Sequence, residues 1–166
     1  MDIIILLFLI LLNGLFVLAE IALVAARKPR LETQAERGDK KAKTALDLAN
    51  NPEIFLSAIQ IGITLISILT GVYSGERFGR TMAPFFERFS LTRDYAETIS
   101  TTIIVILVTF LSIIFGELIP KRVGLLRAER IAKVVASPMR VFAKIIHPIV
   151  WLLNLVSNLF FTIFNI

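Results

Sequence analysis

An all-α membrane protein is the fold class this sequence predicts, with three transmembrane helices, a short cytoplasmic helical pair and a juxtamembrane amphipathic helix. Three observations carry that expectation. The chain is 56% hydrophobic with a mean hydropathy of +0.79, above the usual apolar share of a globular domain. Apolar runs cover about residues 3–26, 54–76 and 98–120, each long enough as a helix to cross a hydrocarbon core of about 30 Å. The basic residues gather between those runs, as they do when charge sets membrane topology. With 166 residues, the chain has room for three or four spans and short loops.

The first run starts at Met1-Asp2 with no basic segment before it and is longer than a signal-peptide core, so it reads as a retained span. Asn13, Gly14 and Glu20 interrupt it. The loop that follows carries Arg27, Lys28, Arg30, Arg37, Lys40, Lys41 and Lys43. Its Glu, Lys, Ala, Gln and Leu content predicts two short helices over 31–50, broken at Gly38. Asn51-Pro52 forms a turn, with Pro52 near the start of the second spanning helix. Between the second and third runs the only basic residues are Arg77, Arg80, Arg88 and Arg93, and Thr92 is a candidate cap for the third helix. Lys121, Arg122, Arg127, Arg130, Lys133, Arg140 and Lys144 follow the third run. The positive-inside rule therefore places the N-terminus outside, and the first loop and the C-terminal tail in the cytoplasm.

The tail, about residues 128–166, carries a basic stripe of Lys133, Ser137, Arg140, Lys144 and His147 at steps of four and three. Asn154, Asn158, Thr162 and Asn165 continue a weaker polar stripe. Apolar bulk with a polar stripe predicts a helix lying along the membrane surface or against the spans. The alternative is a fourth span over residues 149–166.

The composition also excludes chemistry. There is no cysteine, so disulfides and thiolate metal sites are ruled out. A single histidine, His147, argues against a zinc hydrolase. The net charge of +5 lies between apolar runs, and the aromatic residues are mostly phenylalanines within them, so no nucleic-acid partner is expected. No His-Glu-x-x-His, paired aspartates or Ser/His set occurs in the spans, so the chain is not expected to be an enzyme.

The chemistry that remains lies inside the membrane. Glu117 sits at the end of the third run, beside Gly116 and three residues before Pro120. A carboxylate at such a depth costs about 2.5–3.5 kcal/mol on insertion scales. The neighbouring Gly and Pro predict an interrupted helix that frees backbone carbonyls next to the charge, and a hard cation uses both. Lys121, four residues on, offers a local ion pair that could also gate a site. On the second span, Ser57, Gln60, Thr64, Ser67 and Gly71 follow at steps of three and four, one face of a helix. Such a face either lines an ion path or packs helices together. Glu20 either joins the site or pairs with Arg27 or Lys28, and Asn13 is a neutral oxygen donor or interhelical glue. Gly71, Gly75 and Gly79 permit close helix approach and mark a candidate dimer contact. An oxygen-only donor set suits Mg²⁺, Ca²⁺ or Na⁺, and periodicity does not choose among them.

Three segments together resemble one family. They are Asn13-Gly14-Leu15-Phe16-Val17-Leu18-Ala19-Glu20, Leu56-Ser57-Ala58-Ile59-Gln60-Ile61-Gly62, and Phe115-Gly116-Glu117-Leu118-Ile119-Pro120-Lys121. Their order and spacing are similar to the transmembrane domain of the CorC/CNNM (cyclin M) magnesium transporters. The resemblance implies a homodimer in a bacterial-type plasma (inner) membrane, with three spans per subunit and a juxtamembrane helix belting the bundle. It implies Mg²⁺ held among the spans and exported by alternating access as Na⁺ enters. It also implies that longer members continue into cytosolic CBS domains that bind ATP, so this chain is expected to be the membrane portion alone. The ligands it implies are Glu117 and the Gly116 carbonyl, with Ser57, Gln60, Thr64 and Ser67 along the path and Ala19 and Glu20 on the first span. Pro120, Lys121 and Asn13 shape or gate it. Members often carry a serine just before the first-span glutamate; here Ala19 offers only its backbone carbonyl. The competing expectation is a membrane Mg²⁺ sensor or scaffold that moves no ion.

Overall fold

A computed structural model describes residues 1–88 and 93–163, and every regular element among them is helical. The order is α1 (Asp2–Ala25), α2 (Lys28–Glu36), α3 (Lys40–Asn50), α4 (Pro52–Phe86), α5 (Ala96–Ile113), α6 (Ile119–Leu126) and α7 (Ala128–Ile163). A 3₁₀ turn, Arg93–Tyr95, precedes α5, and a π-helical turn, Ile114–Leu118, joins α5 to α6. Thr92 and Asn165 lie outside the described residues.

Among the described residues, four helical stretches, where the sequence predicts three spans, are long and apolar enough to cross a membrane. They are Asp2–Ala25, Phe55–Phe86, Ala96–Leu126 and Ala128–Thr162. The second extends ten residues beyond the expected limit at 76, and the third runs past Pro120 to Leu126. The tail forms one continuous helix through Pro138 and Pro148.

The chain divides into two compact units, 1–18 with 62–122 and 19–61 with 123–166. In the first, Leu6 and Ile10 of α1 pack with Ile104 and Val108 of α5, flanked by Phe78 and Met82 of α4. Tyr73 on α4 donates its hydroxyl to Asp2 Oδ1 at 3.0 Å, tying α4 to the start of α1. The glycine repeat on α4 is used within the chain: a Cβ at Gly79 would collide with Thr101 of α5, and one at Gly75 would lie 3.4 Å from Val105 Cγ2. Of these three glycines, Gly71 alone has open space around it.

The second unit is built on alanine. Gly38, at φ +90°, ends the α2 segment in a conformation that costs other residues strain. Asp39 then caps α3, accepting from the Lys41 and Ala42 amides at 3.0 and 3.1 Å. Ala42, Ala45 and Ala49 of α3 are buried, as are Ala132, Ala136 and Ala143 of α7, and α3 packs chiefly on α7 and α2. Small side chains let the helices approach closely. Lys133 meets Asp39 at 3.0 Å, Arg140 meets Asp47 at 2.9 Å, and Arg30 meets Glu129 at 3.5 Å. Two members of the predicted basic stripe on α7 therefore pair with the helical pair. The Lys133 ammonium, and next the Ala42 amide, hold the Asp39 carboxyl below its ordinary value of 3.8.

Candidate functional site

The π turn places the charge. In an α-helix, Ser112 and Glu117 would stand five residues, about 1.4 turns, apart, on different faces. Here the Ile119 amide bonds to Ile114 O, five residues back, and in that wider register five residues is close to one turn. Glu117, Ser112 and Thr109 accordingly line one cavity of about 200 Å³ in the first unit. The sequence predicts a helix interrupted by Gly116 and Pro120; the structure keeps the helix and inserts one residue.

Pro120 has no N–H to offer the turn before it. Gly116 O instead accepts a long hydrogen bond from Asn13 Nδ2, at 3.4 Å. This needs α1 against the π turn, and Gly14 permits it: a Cβ there would lie 3.0 Å from Phe115 O and 3.0 Å from Pro120 Cγ. Gly116 is equally confined, 3.2 Å from Asn13 Nδ2 by the same measure. The first and third sequence motifs thus meet as one piece of packing.

Asn13 also lines the cavity, and its Oδ1 is buried without a hydrogen-bond partner. Ser112 Oγ, on the same wall, is in the same state. Buried polar atoms in native proteins are nearly always satisfied, so two orphan oxygens beside a carboxylate indicate a place for a polar guest. From α4 the cavity takes Ser67, Thr70, Gly71 and Ser74. The Thr70 and Ser74 hydroxyls donate to Ile66 O and Gly71 O of their own helix, at 2.7 and 3.0 Å, which leaves their lone pairs available as acceptors. The space is large enough for several waters.

Of the predicted site residues, the structure brings Glu117, Ser67 and Asn13 to this cavity, with Gly116 buried beside Asn13. Thr64 and Gln60, exposed as Glu117 and Ser67 also are, do not line it, and Ser57 lines a different cavity with Glu53 and Trp151 in the second unit. Ala19 is fully buried and Glu20 half-buried in that same unit. Glu117 and Lys121 form no ion pair among the described residues. Sequence reasoning missed Thr70, Ser74, Thr109 and Ser112. Ser74 continues the Ser67–Gly71 spacing and was legible; Ser112 was not, because the π turn sets its relation to Glu117.

Among the described residues no three Asp, Glu, His or Cys side chains converge. A cation in this cavity therefore meets one carboxylate and several neutral oxygens. A family model described as the cyclin M transmembrane N-terminal domain matches residues 4–166. The chain belongs to that family, in agreement with the resemblance carried by the three motifs. It is 46% identical over 158 residues to UPF0053 protein sll0260 of Synechocystis, covering 95% of this chain and 35% of that protein. It is 36% identical over 146 residues to UPF0053 protein YhdT of Bacillus subtilis, covering 88% and 32%. It is 32% identical over 165 residues to the polyamine export protein of Escherichia coli K12, covering 99% and 37%. The chain thus spans about a third of the length of the curated relatives it matches. The family and the apolar helices mark a multi-pass membrane domain of a kind found in transport proteins.

Proposed function

We propose that this chain is the membrane domain of a Mg²⁺ exporter, and that the ion passes through the cavity beside Glu117. The observation that carries this reading is the pairing of one carboxylate with two unsatisfied buried oxygens, Asn13 Oδ1 and Ser112 Oγ. Mg²⁺ gives up water reluctantly and is commonly bound through one or two carboxylates while keeping several waters. A cavity with room for several waters and a single carboxylate suits an ion that stays largely hydrated. The π turn supplies the two-state element that alternating access needs, since a one-residue register change would rotate Glu117 away from Ser112. Na⁺ entry down its gradient would drive export through the same oxygens, in a homodimer in the inner membrane with no enzymatic step.

The distribution of basic residues supports a cytoplasmic α2 and α3 and an external N-terminus. The pairs from Lys133 and Arg140 to α3 then hold the first half of α7 at the cytoplasmic face, which supports a juxtamembrane rather than a spanning helix. A reporter fused after Ile166 should be cytoplasmic, and an external one would reverse that assignment.

The name of the Escherichia coli relative favours a second reading, export of an organic polycation. A primary ammonium has three donors and would find its acceptors in the same cavity. Proteoliposomes distinguish the readings. Under an imposed Na⁺ gradient, wild type should export Mg²⁺ faster than Glu117→Gln and should leave spermidine inside. Equal Mg²⁺ rates would remove Glu117 from the mechanism. Spermidine flux without Mg²⁺ flux would select the polycation, and saturable Mg²⁺ binding with no flux would select a sensor.

A further inference from the structure

A cavity of about 560 Å³ lies wholly within the second unit, in the size range of small-molecule sites. Its wall is mainly apolar, with a few charged side chains along one side. Arg140, Lys144 and His147 of α7 supply the basic side, and Leu48 of α3 and Phe55 of α4 the apolar side. The one carboxylate in the lining, Asp47, is taken by Arg140 at 2.9 Å. Lys144 and His147 have no ion pair or hydrogen bond from their side chains among the described residues. The cavity therefore carries an uncompensated positive charge and two imidazole nitrogens beside a hydrophobic floor.

Its position along α7 gives the second half of the argument. From Ile149 onward the helix exposes large apolar side chains, Trp151, Leu152 and Leu153 among them. Before it, Lys133 and Arg140 face the charged helix α3. Val134, Val141 and Ile145 are already exposed on α7 before the cavity; what ends there is charge, since Lys144 is the last charged residue of the helix, and a tryptophan stands one turn beyond His147. This is the profile of a residue sequence at a water–lipid boundary.

We propose that this cavity binds the headgroup of an anionic phospholipid, with Lys144 and His147 on the phosphodiester and Leu48 and Pro148 against the first carbons of the acyl chains. Charge complementarity selects the occupant: a zwitterionic lipid brings its own cation to a site that already has a surplus of positive charge. Basic pockets on the cytoplasmic side of membrane helices hold phosphorylated headgroups for this reason. Bound there, the lipid would join α3, α4 and α7 at the membrane surface. The site is separate from the Glu117 cavity and does not depend on which cation is exported.

The chain reports on this site itself. Trp151 is its single tryptophan, and it lines a neighbouring cavity of about 370 Å³ that shares His147. The protein is placed in phosphatidylcholine nanodiscs containing increasing fractions of phosphatidylglycerol or phosphatidylcholine with brominated chains, and quenching of Trp151 is followed. Brominated phosphatidylglycerol should reach half-maximal quenching at about fivefold lower mole fraction, the preference one basic side chain confers near an anionic surface. The Lys144→Gln/His147→Gln double variant should lose the preference, and Lys43→Gln, which removes an exposed charge from α3, should keep it. Soluble glycerol phosphate at millimolar concentration should not displace the lipid. Equal quenching by the two lipids in the wild-type protein would overturn the proposal. So would a preference that survives the double variant, one lost equally in Lys43→Gln, or one abolished by glycerol phosphate.

Discussion

Polar groups are handled in opposite ways in the two units. In the unit formed by 19–61 and 123–166, Asp39, Asp47 and Glu129 each have a basic partner, and the helices close on fully buried Ala42, Ala45, Ala132 and Ala136. In the unit formed by 1–18 and 62–122, three buried side-chain oxygens among the described residues, Asn13 Oδ1, Ser100 Oγ and Ser112 Oγ, have no partner, a helix takes a π turn, and a carboxylate lines the same cavity as two of them, Asn13 and Ser112. Unsatisfied oxygens and a widened helix turn cost stability. They persist where something other than stability is served. The comparison separates a platform, which is optimised for packing, from a site, which is held away from that optimum.

The largest effect should come from the charge that defines the site. Glu117→Gln should weaken Mg²⁺ binding by about 30-fold or more, from about 2 kcal/mol for losing one charged partner, as read by titration calorimetry. Its thermal stability in detergent should not fall, because no ion pair of Glu117 is lost. A destabilised variant with unaltered binding would put Glu117 on the platform side of the comparison.

Overpacking comes next, and the two units should respond differently. Ala45→Leu introduces bulk between α3 and its neighbours and should cost about 1–3 kcal/mol, seen as a lower melting temperature with Mg²⁺ affinity retained. Gly14→Ala should cost a similar amount of stability and also weaken binding, because it pushes α1 off the π turn and moves Asn13. Retained affinity in Gly14→Ala would uncouple that packing from the site. Gly71→Ala is the matched control: its Cβ meets nothing, so it should be neutral or gain up to about 1 kcal/mol in helix propensity.

Asn13→Ala should have a smaller effect on the ion than Glu117→Gln, about fivefold, from about 1 kcal/mol for one neutral hydrogen-bonding group. An effect equal to that of Glu117→Gln would make Asn13 a direct and necessary ligand.

The smallest effect should be the response of the platform to acid. The folded state holds the Asp39 carboxyl below 3.8, chiefly through Lys133. Its contribution is therefore complete above pH 3.8 and declines as pH falls through that value towards the lower folded one. Comparing wild type with Lys133→Met by thermal unfolding from pH 6 to 3 should show the difference between them shrinking as acid protonates Asp39. A constant difference would mean that Lys133 acts through packing alone.

Much of the platform was legible in the sequence. Helix-forming composition broken at Gly38, and Pro52 at a helix start, fixed α2, α3 and the beginning of α4 within a few residues. The three motifs, two of which meet at Gly14 and Pro120, identified the family, and the cost of a carboxylate in an apolar run singled out Glu117. Three things were not legible. A one-residue register change leaves no mark on hydrophobic periodicity, so Ser112 and Thr109 could not be aligned with Glu117. The Ser57–Gly71 stripe shares a helix face, but a face 14 residues long spans about 21 Å, and only Ser67 and Gly71 reach the cavity. The third is the course of the tail: Pro138 and Pro148 lie inside α7, which continues through both because a proline removes a hydrogen bond without forbidding the helix on either side.

The central claim is that the cation sits in the cavity between Asn13, Ser112 and Glu117. Crystals grown with Mn²⁺ in place of Mg²⁺ test it by anomalous scattering. One peak is expected in that cavity, near Glu117, and it should disappear in Glu117→Gln. A peak that persists in the variant, or one located instead beside Ser57, would contradict it.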